Sequence, residues 1–278
     1  MIYIKTKDEI DILRQGGKIL ANILSKICQE VKPGISTAEL EKMAVELIIG
    51  AGGSPAFKDY DMGGGIFFPT ALCTSINNEV VHGSALPGRI LKSGDIIGLD
   101  IGMEWPIQTK EEAEKNNRPF NPYSNNGGFF TDTCRTVGVG KISNEAKKLL
   151  RVTKQALDIG LSKAIAGNTL NDIGKAIEVY VRKNGFSVVR DMVGHGVGYM
   201  AHEDPNVFNF EIGQNLPENE LLEPGMVIAI EPMVNQGKYG VRVSKNGYTI
   251  ISSDNSLSAH FEHSVAILNK GNLIITEK

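Results

Sequence analysis

From residue 10 onward, Ile10, Leu13, Gly17, Leu20, Leu24 and Ile27 recur every three or four positions, the pattern of a helix that buries one stripe. Thr6 and Glu9 in front of them have capping-box spacing: the threonine caps the first turn and the glutamate three residues on bonds back. Pro33-Gly34 ends that element. Ser36 and Glu39 repeat the box, and Leu40, Met43, Leu47 and Ala51 are expected on the buried face of a second helix, stopped at Gly52-Gly53-Ser54-Pro55. The run from Gly94 to Gly102 is rich in isoleucine and leucine and short enough for a buried strand. Period two places Asp100 on one face with Gly98 and Gly102, so empty space is expected on both sides of its carboxylate.

The intervening stretches are less regular. Gly63-Gly64-Gly65 reads as a flexible loop, although Phe67 and Phe68 beside it leave room for a pocket wall. Residues 104–128 carry charges, prolines and asparagines and are expected to form an exposed excursion. A second strand follows over 129–139, with Phe130, Asp132, Cys134 and Thr136 on one face.

The chain then repeats itself. Ser143 opens a helix through Leu149, Val152, Ala156 and Leu161, and the stretch from Gly167 aligns with that from Gly34 at an offset of 133. In both copies a glycine follows 18 residues on, at Gly52 and Gly185. Leu222 to Glu231 matches Leu91 to Asp100 at an offset of 131, each copy ending in a carboxylate. A near-constant offset implies duplication, with halves of about 1–140 and 141–278 in one domain, a pseudo-twofold axis, and Asp100 facing Glu231 across it.

Composition narrows the class. Of 278 residues, 41% are hydrophobic and 22% charged, as in a soluble globular protein. A formal charge of −3 gives no general case for nucleic acid or an anionic membrane as partner. The N-terminus has no signal-peptide core, and no run approaches a membrane span. Cys28, Cys73 and Cys134 are an odd count without metal-finger spacing, which implies reduced thiols and a cytoplasmic location.

The chemistry lies in carboxylates placed where strands should be apolar. Asp100, Asp132, Glu231 and Glu262 all sit in strand-like surroundings, where acidic residues are poor formers and rarely buried unpaired. Converging, they need cations, because each unpaired buried ion costs several kcal/mol. Two divalent metals would balance four carboxylates, and a histidine ligand suits the same metals. The chain has five histidines, two of them in Asp191–Glu203: His195, flanked by Gly194 and Gly196, and His202, seven residues later.

These motifs together resemble those of type I methionine aminopeptidases, in the creatinase/aminopeptidase superfamily. The resemblance rests on His82 lying 18 residues before Asp100, TDTCRT around Asp132 and GHGVGYMAHEDP around His195 and His202. PGMVIAIEPM around Glu231 and SLSAHFEHS around Glu262 complete it, so that it spans essentially the whole chain. It implies an α+β pita-bread fold: two pseudo-twofold-related halves, a curved, mainly antiparallel sheet, and helices on its outer face. It further implies that Asp100, Asp132, His195, Glu231 and Glu262 hold two divalent metal ions (Co, Mn, Fe or Zn). The implied activity is removal of the N-terminal methionine from nascent proteins and peptides, favouring small second residues, by attack of a metal-bridging hydroxide. Glu231 would shuttle the proton, His202 would contact the scissile carbonyl, and His82 would bind near the peptide nitrogen. Cys73, Phe68 and Tyr248 fall near positions that line the methionine pocket in relatives. His260 and His263 read as structural. A monomer is expected, with ribosome association natural for nascent substrates, although no tail or motif is dedicated to it.

Two features depart from the family pattern. Asp100 and Asp132 are 32 residues apart, whereas relatives join them by a tight turn, so an insertion is expected at about 104–127. It reads as a solvated loop lengthening, since closure cost grows slowly with length, or else as a lid or partner-binding element. Ala201 stands where many relatives have an aromatic residue before the histidine. Among rival activities, an X-prolyl aminopeptidase or prolidase would carry a large extra N-terminal domain. A type II enzyme would carry a helical insertion between His195 and Glu231, and their separation of 36 leaves no room for it. A metal-free binding protein would not be expected to keep every candidate ligand.

Overall fold

Capping boxes start four of the five helices, one of them at Thr169/Asp172. A computed structural model describes residues 1–278. It contains α1 (Lys7–Glu30), α2 (Thr37–Gly50), α3 (Lys110–Lys115), α4 (Asn144–Lys163) and α5 (Leu170–Lys183). Thr6/Glu9, Ser36/Glu39 and Thr109/Glu112 each form the reciprocal box, the last inside the excursion that was expected to be loop. Helix α1 buries the whole anticipated stripe. At Gly17 a β-carbon would stand 2.4 Å from the Ile275 carbonyl oxygen, so glycine lets α1 seat against the C-terminal segment. No helix is long and apolar enough to cross a membrane.

Helix α2 is rotated from expectation. It buries Leu40, Glu41, Ala44 and Ile48, while Met43, Leu47 and Ala51 are half-buried at the edge of the same apolar cluster. The reason is Glu41. Its carboxylate accepts the backbone N–H groups of Ala71 and Leu72, both at 2.8 Å, tying α2 to the strand Leu72–Ile76. Burial raises its pKa, partly offset by those two bonds. Glu41→Ala strands two buried N–H groups and is expected to cost about 2–4 kcal/mol in urea unfolding. A cost below about 1 kcal/mol would mean that water replaces the carboxylate.

Every strand pair is antiparallel. The strand Ile96–Trp105 lies between Leu72–Ile76 and Phe129–Gly138. A five-stranded sheet runs Asn272–Ile274, His263–Ile267, Val227–Ile230, Gly194–Gly196, Glu203–Val207. Side chains stitch these two sheets together. Asp132 N–H donates to Ser264 Oγ (3.0 Å) and Ser264 Oγ donates to the Asp132 carbonyl (2.8 Å). Glu262 N–H donates to the Cys134 carbonyl (3.0 Å), and Thr133 Oγ1 to the Glu262 carbonyl (2.9 Å). Helices α1 and α2 cover one apolar cluster of 14 buried residues, and α4 and α5 cover another of 24. Positive-φ glycines follow the ends of α2 and α5, at Gly52 (77°) and Gly185 (84°).

Two expectations need correction. The excursion begins later than residue 104: Glu104 and Trp105 still pair with Phe130 and Phe129, so it spans 106–128. It is also folded, because α3 buries Ala113, and Gln108 and Asn121 are buried in hydrogen bonds to its own backbone. The space beside Gly102 is filled as well. A β-carbon there would meet the Phe57 ring at 2.7 Å, and one at Gly98 would meet Thr136 and Ser75 at 3.5–3.7 Å.

Candidate metal centre

Register sets the first carboxylate. Asp100 pairs with Cys73 on one side and Cys134 on the other, and Gly102 pairs with Asp132 on the neighbouring strand. The stitching described above brings Glu262 beside Asp132. Glu231 follows the strand Val227–Ile230, which pairs with the Gly194–Gly196 strand through Ile228 and Gly196. These side chains converge on the floor of a cavity of about 360 Å³.

His195 Nε2 lies 3.5 Å from Glu231 Oε1 and 3.8 Å from Asp132 Oδ2. Its Nδ1 sits 2.8 Å from the Gly196 carbonyl oxygen. A proton on Nδ1 satisfies that carbonyl and leaves the Nε2 lone pair facing the carboxylates, the tautomer a cation needs. Three side-chain sets have ligand atoms all within 4.8 Å of one another: Asp100, Asp132 and Glu262; His195, Glu231 and Glu262; and Asp132, His195 and His202. Asp100 Oδ1, Asp132 Oδ1 and Glu262 Oε1 are buried with no hydrogen-bond partner. Buried acceptors normally find donors, so this set fits a missing positive charge.

The electrostatics agree. Burial raises Asp100 to about 6, with His260 pulling it down and Glu231 pushing it up. Burial raises Glu231 to about 8. Asp132 and Glu262 are pushed well above the usual carboxylate range by burial and then by neighbouring carboxylates. Burial lowers His195 to about 3 and His82 to about 4, each with a further push from His202. His202 is lowered by its surroundings too, although part of its ring stays open to the cavity. All three imidazoles are therefore neutral at pH 7.

The cavity wall holds Phe68, Cys73 and His82, and behind Phe68 stands Tyr248, edge-on with ring centroids 5.6 Å apart. Tyr248 thus supports the wall rather than lining it. Burial and the nearby carboxylates hold the Cys73 thiol well above its ordinary pKa, a poor state for a nucleophile. His82 adopts φ 59°, an uncommon conformation outside glycine, and Thr249 Oγ1 donates to its carbonyl at 2.9 Å.

Sequence reasoning missed several wall residues: Phe57, Tyr60, Met62, Met192 and Val193. Tyr60 packs edge-on against His202, centroids 4.9 Å apart. The aromatic flanks of the triple-glycine run are the only signal; Phe68 lines the wall, Phe67 is exposed, and the glycines stand clear of other atoms. His260 was read as structural, yet its Nε2 lies 3.3 Å from Glu231 Oε2 with no completed hydrogen bond. His263 is remote from these groups and meets Thr276 Oγ1 at 3.0 Å through Nδ1.

The sequence pattern of metallopeptidase family M24 matches residues 11–107 and 123–269. The chain is 44% identical to a methionine aminopeptidase of Clostridium perfringens, over 99% of both chains. A solved methionine aminopeptidase from Thermotoga maritima superposes with a TM-score of 0.87 at 33% identity, covering 100% of both chains. A prolidase from Pyrococcus horikoshii superposes with a TM-score of 0.72 at 18% identity, over 99% of this chain and 63% of its own. The last similarity speaks to fold alone. The fold is the pita-bread fold, in agreement with expectation.

Proposed function

The chain belongs to metallopeptidase family M24, and on that premise we propose that it removes the N-terminal methionine from nascent proteins and peptides. The observation that carries this reading is the meeting of four buried carboxylates and His195 beneath a partly apolar cavity.

Divalent metal ions belong to the family's chemistry, and the unpartnered oxygens of Asp100, Asp132 and Glu262 fit them. Asp100, Asp132, His195, Glu231 and Glu262 are assigned as the holders of two such ions, drawn from Co, Mn, Fe or Zn, all of which suit this oxygen and nitrogen set. Bound there, the ions would supply positive charge and make water acidic enough to attack a peptide carbonyl near neutral pH. Glu231, placed between His195 and His260, holds the proton and delivers it to the leaving amine. Neutral His202 donates an N–H to the carbonyl oxygen as negative charge develops. His82 binds the substrate backbone. Phe68 and Cys73, with Tyr60, Met62 and Met192, enclose an unbranched thioether side chain and exclude water. Small second residues suit a crowded entrance to this cavity. Residues 1–278 act as one catalytic unit with halves of about 1–140 and 141–278. The protein works as a cytoplasmic monomer on chains emerging from the ribosome.

The deciding test is hydrolysis of Met-Gly-Met-Met against Ala-Pro-Ala, with and without chelator. Cleavage of the methionyl peptide alone is expected, lost on chelation and restored by a divalent metal. Cleavage of the prolyl peptide alone, or cleavage indifferent to chelator, would sink the assignment.

A further inference from the structure

Residues 108–122 fall outside the matched family pattern, and they form most of the folded excursion. We propose that this segment braces the loop carrying His202, with Asn121 as the positioning residue. The inference rests on the role given to His202 above.

Asn121 is fully buried. Its Nδ2 donates to the Gly128 carbonyl at 2.6 Å and to the Tyr199 carbonyl at 2.8 Å, while its Oδ1 accepts from Tyr123 N–H at 3.0 Å. One amide thus ties the excursion, the start of the Asp132 strand and the residue three places before His202. The Tyr123 ring packs on Tyr199, centroids 5.2 Å apart, and both pack on Tyr3. Glu104, just before the excursion, holds its C-terminal end. It accepts from Ser124 Oγ, from Asn126 Nδ2 at 2.9 Å and from Gly128 N–H at 3.1 Å.

The loop 198–203 is held at several further points. Phe130 N–H donates to the Gly198 carbonyl at 2.8 Å. Glu203, directly after His202, accepts the N–H groups of Tyr199 and Met200. Its other oxygen takes the buried Lys5 ammonium. Tyr199 Oη donates to Glu9 Oε1 at 2.7 Å. Among these ties, the side-chain bond to the Tyr199 carbonyl comes from Asn121 alone, so its loss removes that carbonyl's partner and loosens one of the several holds on the turn before His202. A small misplacement of a catalytic group is enough to cost rate heavily, while Phe68, Cys73 and Met192 of the methionine pocket are not among the groups that Asn121 touches.

The test compares Asn121→Ala with Asn126→Ala, a substitution in the same excursion that does not touch the His202 loop. Steady-state cleavage of Met-Gly-Met-Met is measured together with metal content and melting temperature. The wild-type rate tests the assigned activity, and the ratio of variant to wild type tests the brace, so the two can fail separately. For Asn121→Ala, kcat is expected to fall by about 10–100-fold with KM within about twofold and metal content unchanged; Asn126→Ala is expected to stay within about twofold in both. Unchanged kcat in Asn121→Ala, or equal losses in both variants, overturns the proposal. If Asn121→Ala does not fold, Tyr123→Ala decides, because Tyr123 is 56% exposed and its ring touches the same loop. A kcat loss of about threefold or more supports the brace, and an unchanged kcat overturns it.

Discussion

Alanine in place of His202 is expected to lower kcat for a methionyl tripeptide by about 10²–10³, with a much smaller change in KM. The imidazole stands at the cavity mouth, its ring centroid 4.3 Å from that of His195 and 4.9 Å from that of Tyr60. Its lowered pKa keeps it neutral, so it offers one N–H donor and carries no competing charge. A donor aimed at the oxygen where charge develops contributes more in the transition state than in the bound substrate, which is why the loss falls on kcat. The same geometry allows a second role, because His202 also lies within ligand distance of Asp132 and His195. Metal content separates the two. A slow variant with the full metal complement fits substrate contact, whereas loss of metal in step with activity would make His202 a ligand.

Removing the metal should make stability fall as pH rises from 6.5 to 8. A carboxyl whose folded pKa lies above its unfolded value makes the folded state bind the proton more tightly. Its stabilisation is then complete at low pH and is lost as pH climbs between the two values. For Glu231 that interval runs from 4.5 to about 8, and for Asp100 from 3.8 to about 6. Histidines with lowered pKa act in the opposite sense. His195, His82 and His202 are ordinarily near 6.5 and are all depressed, so they cost stability only below that value. Between pH 6.5 and 8 Glu231 therefore acts unopposed, together with Asp132 and Glu262, which burial raises well above the usual range, whereas Asp100 has already titrated. At about 1.4 kcal/mol per pH unit for each such group, the loss is on the order of a few kcal/mol. Divalent metal should abolish the slope and raise the melting temperature more at pH 8 than at pH 6.5. A flat profile for the chelated protein would show that burial does not raise these carboxyls, and the same slope with metal bound would show that the metal is not held by them.

The capping boxes and apolar stripes located α1, α2 and α4, because capping and burial periodicity act within a turn or two of chain, and the repeat of the first half located α5. Thr109 and Glu112 carry the same box, but the polar, proline-containing stretch around them hid the short α3, and only packing reveals it. Glu41 drew no attention in the sequence for another reason. A glutamate on a helix reads as a solvent-facing residue, and nothing local announces two unsatisfied amides some 30 residues away.

The candidate centre divides along the same line. Residue type alone drew attention to Asp100, Asp132, Glu231 and Glu262, since carboxylates are out of place in apolar strands, and glycine flanks marked His195. The wall residues Tyr60, Met62 and Met192 carried no such mark, being ordinary apolar or aromatic residues in loops. His260 was equally silent, because its nearness to Glu231 depends on a strand pairing that begins at Met233. Chemistry that is improbable for its local surroundings is legible in sequence, and so is any pattern with a short period. Which of those groups touch was decided by hydrogen-bond ladders and stitches between residues more than a hundred positions apart, as between Asp132 and Ser264. Those contacts exist only once the two sheets have closed over a common core.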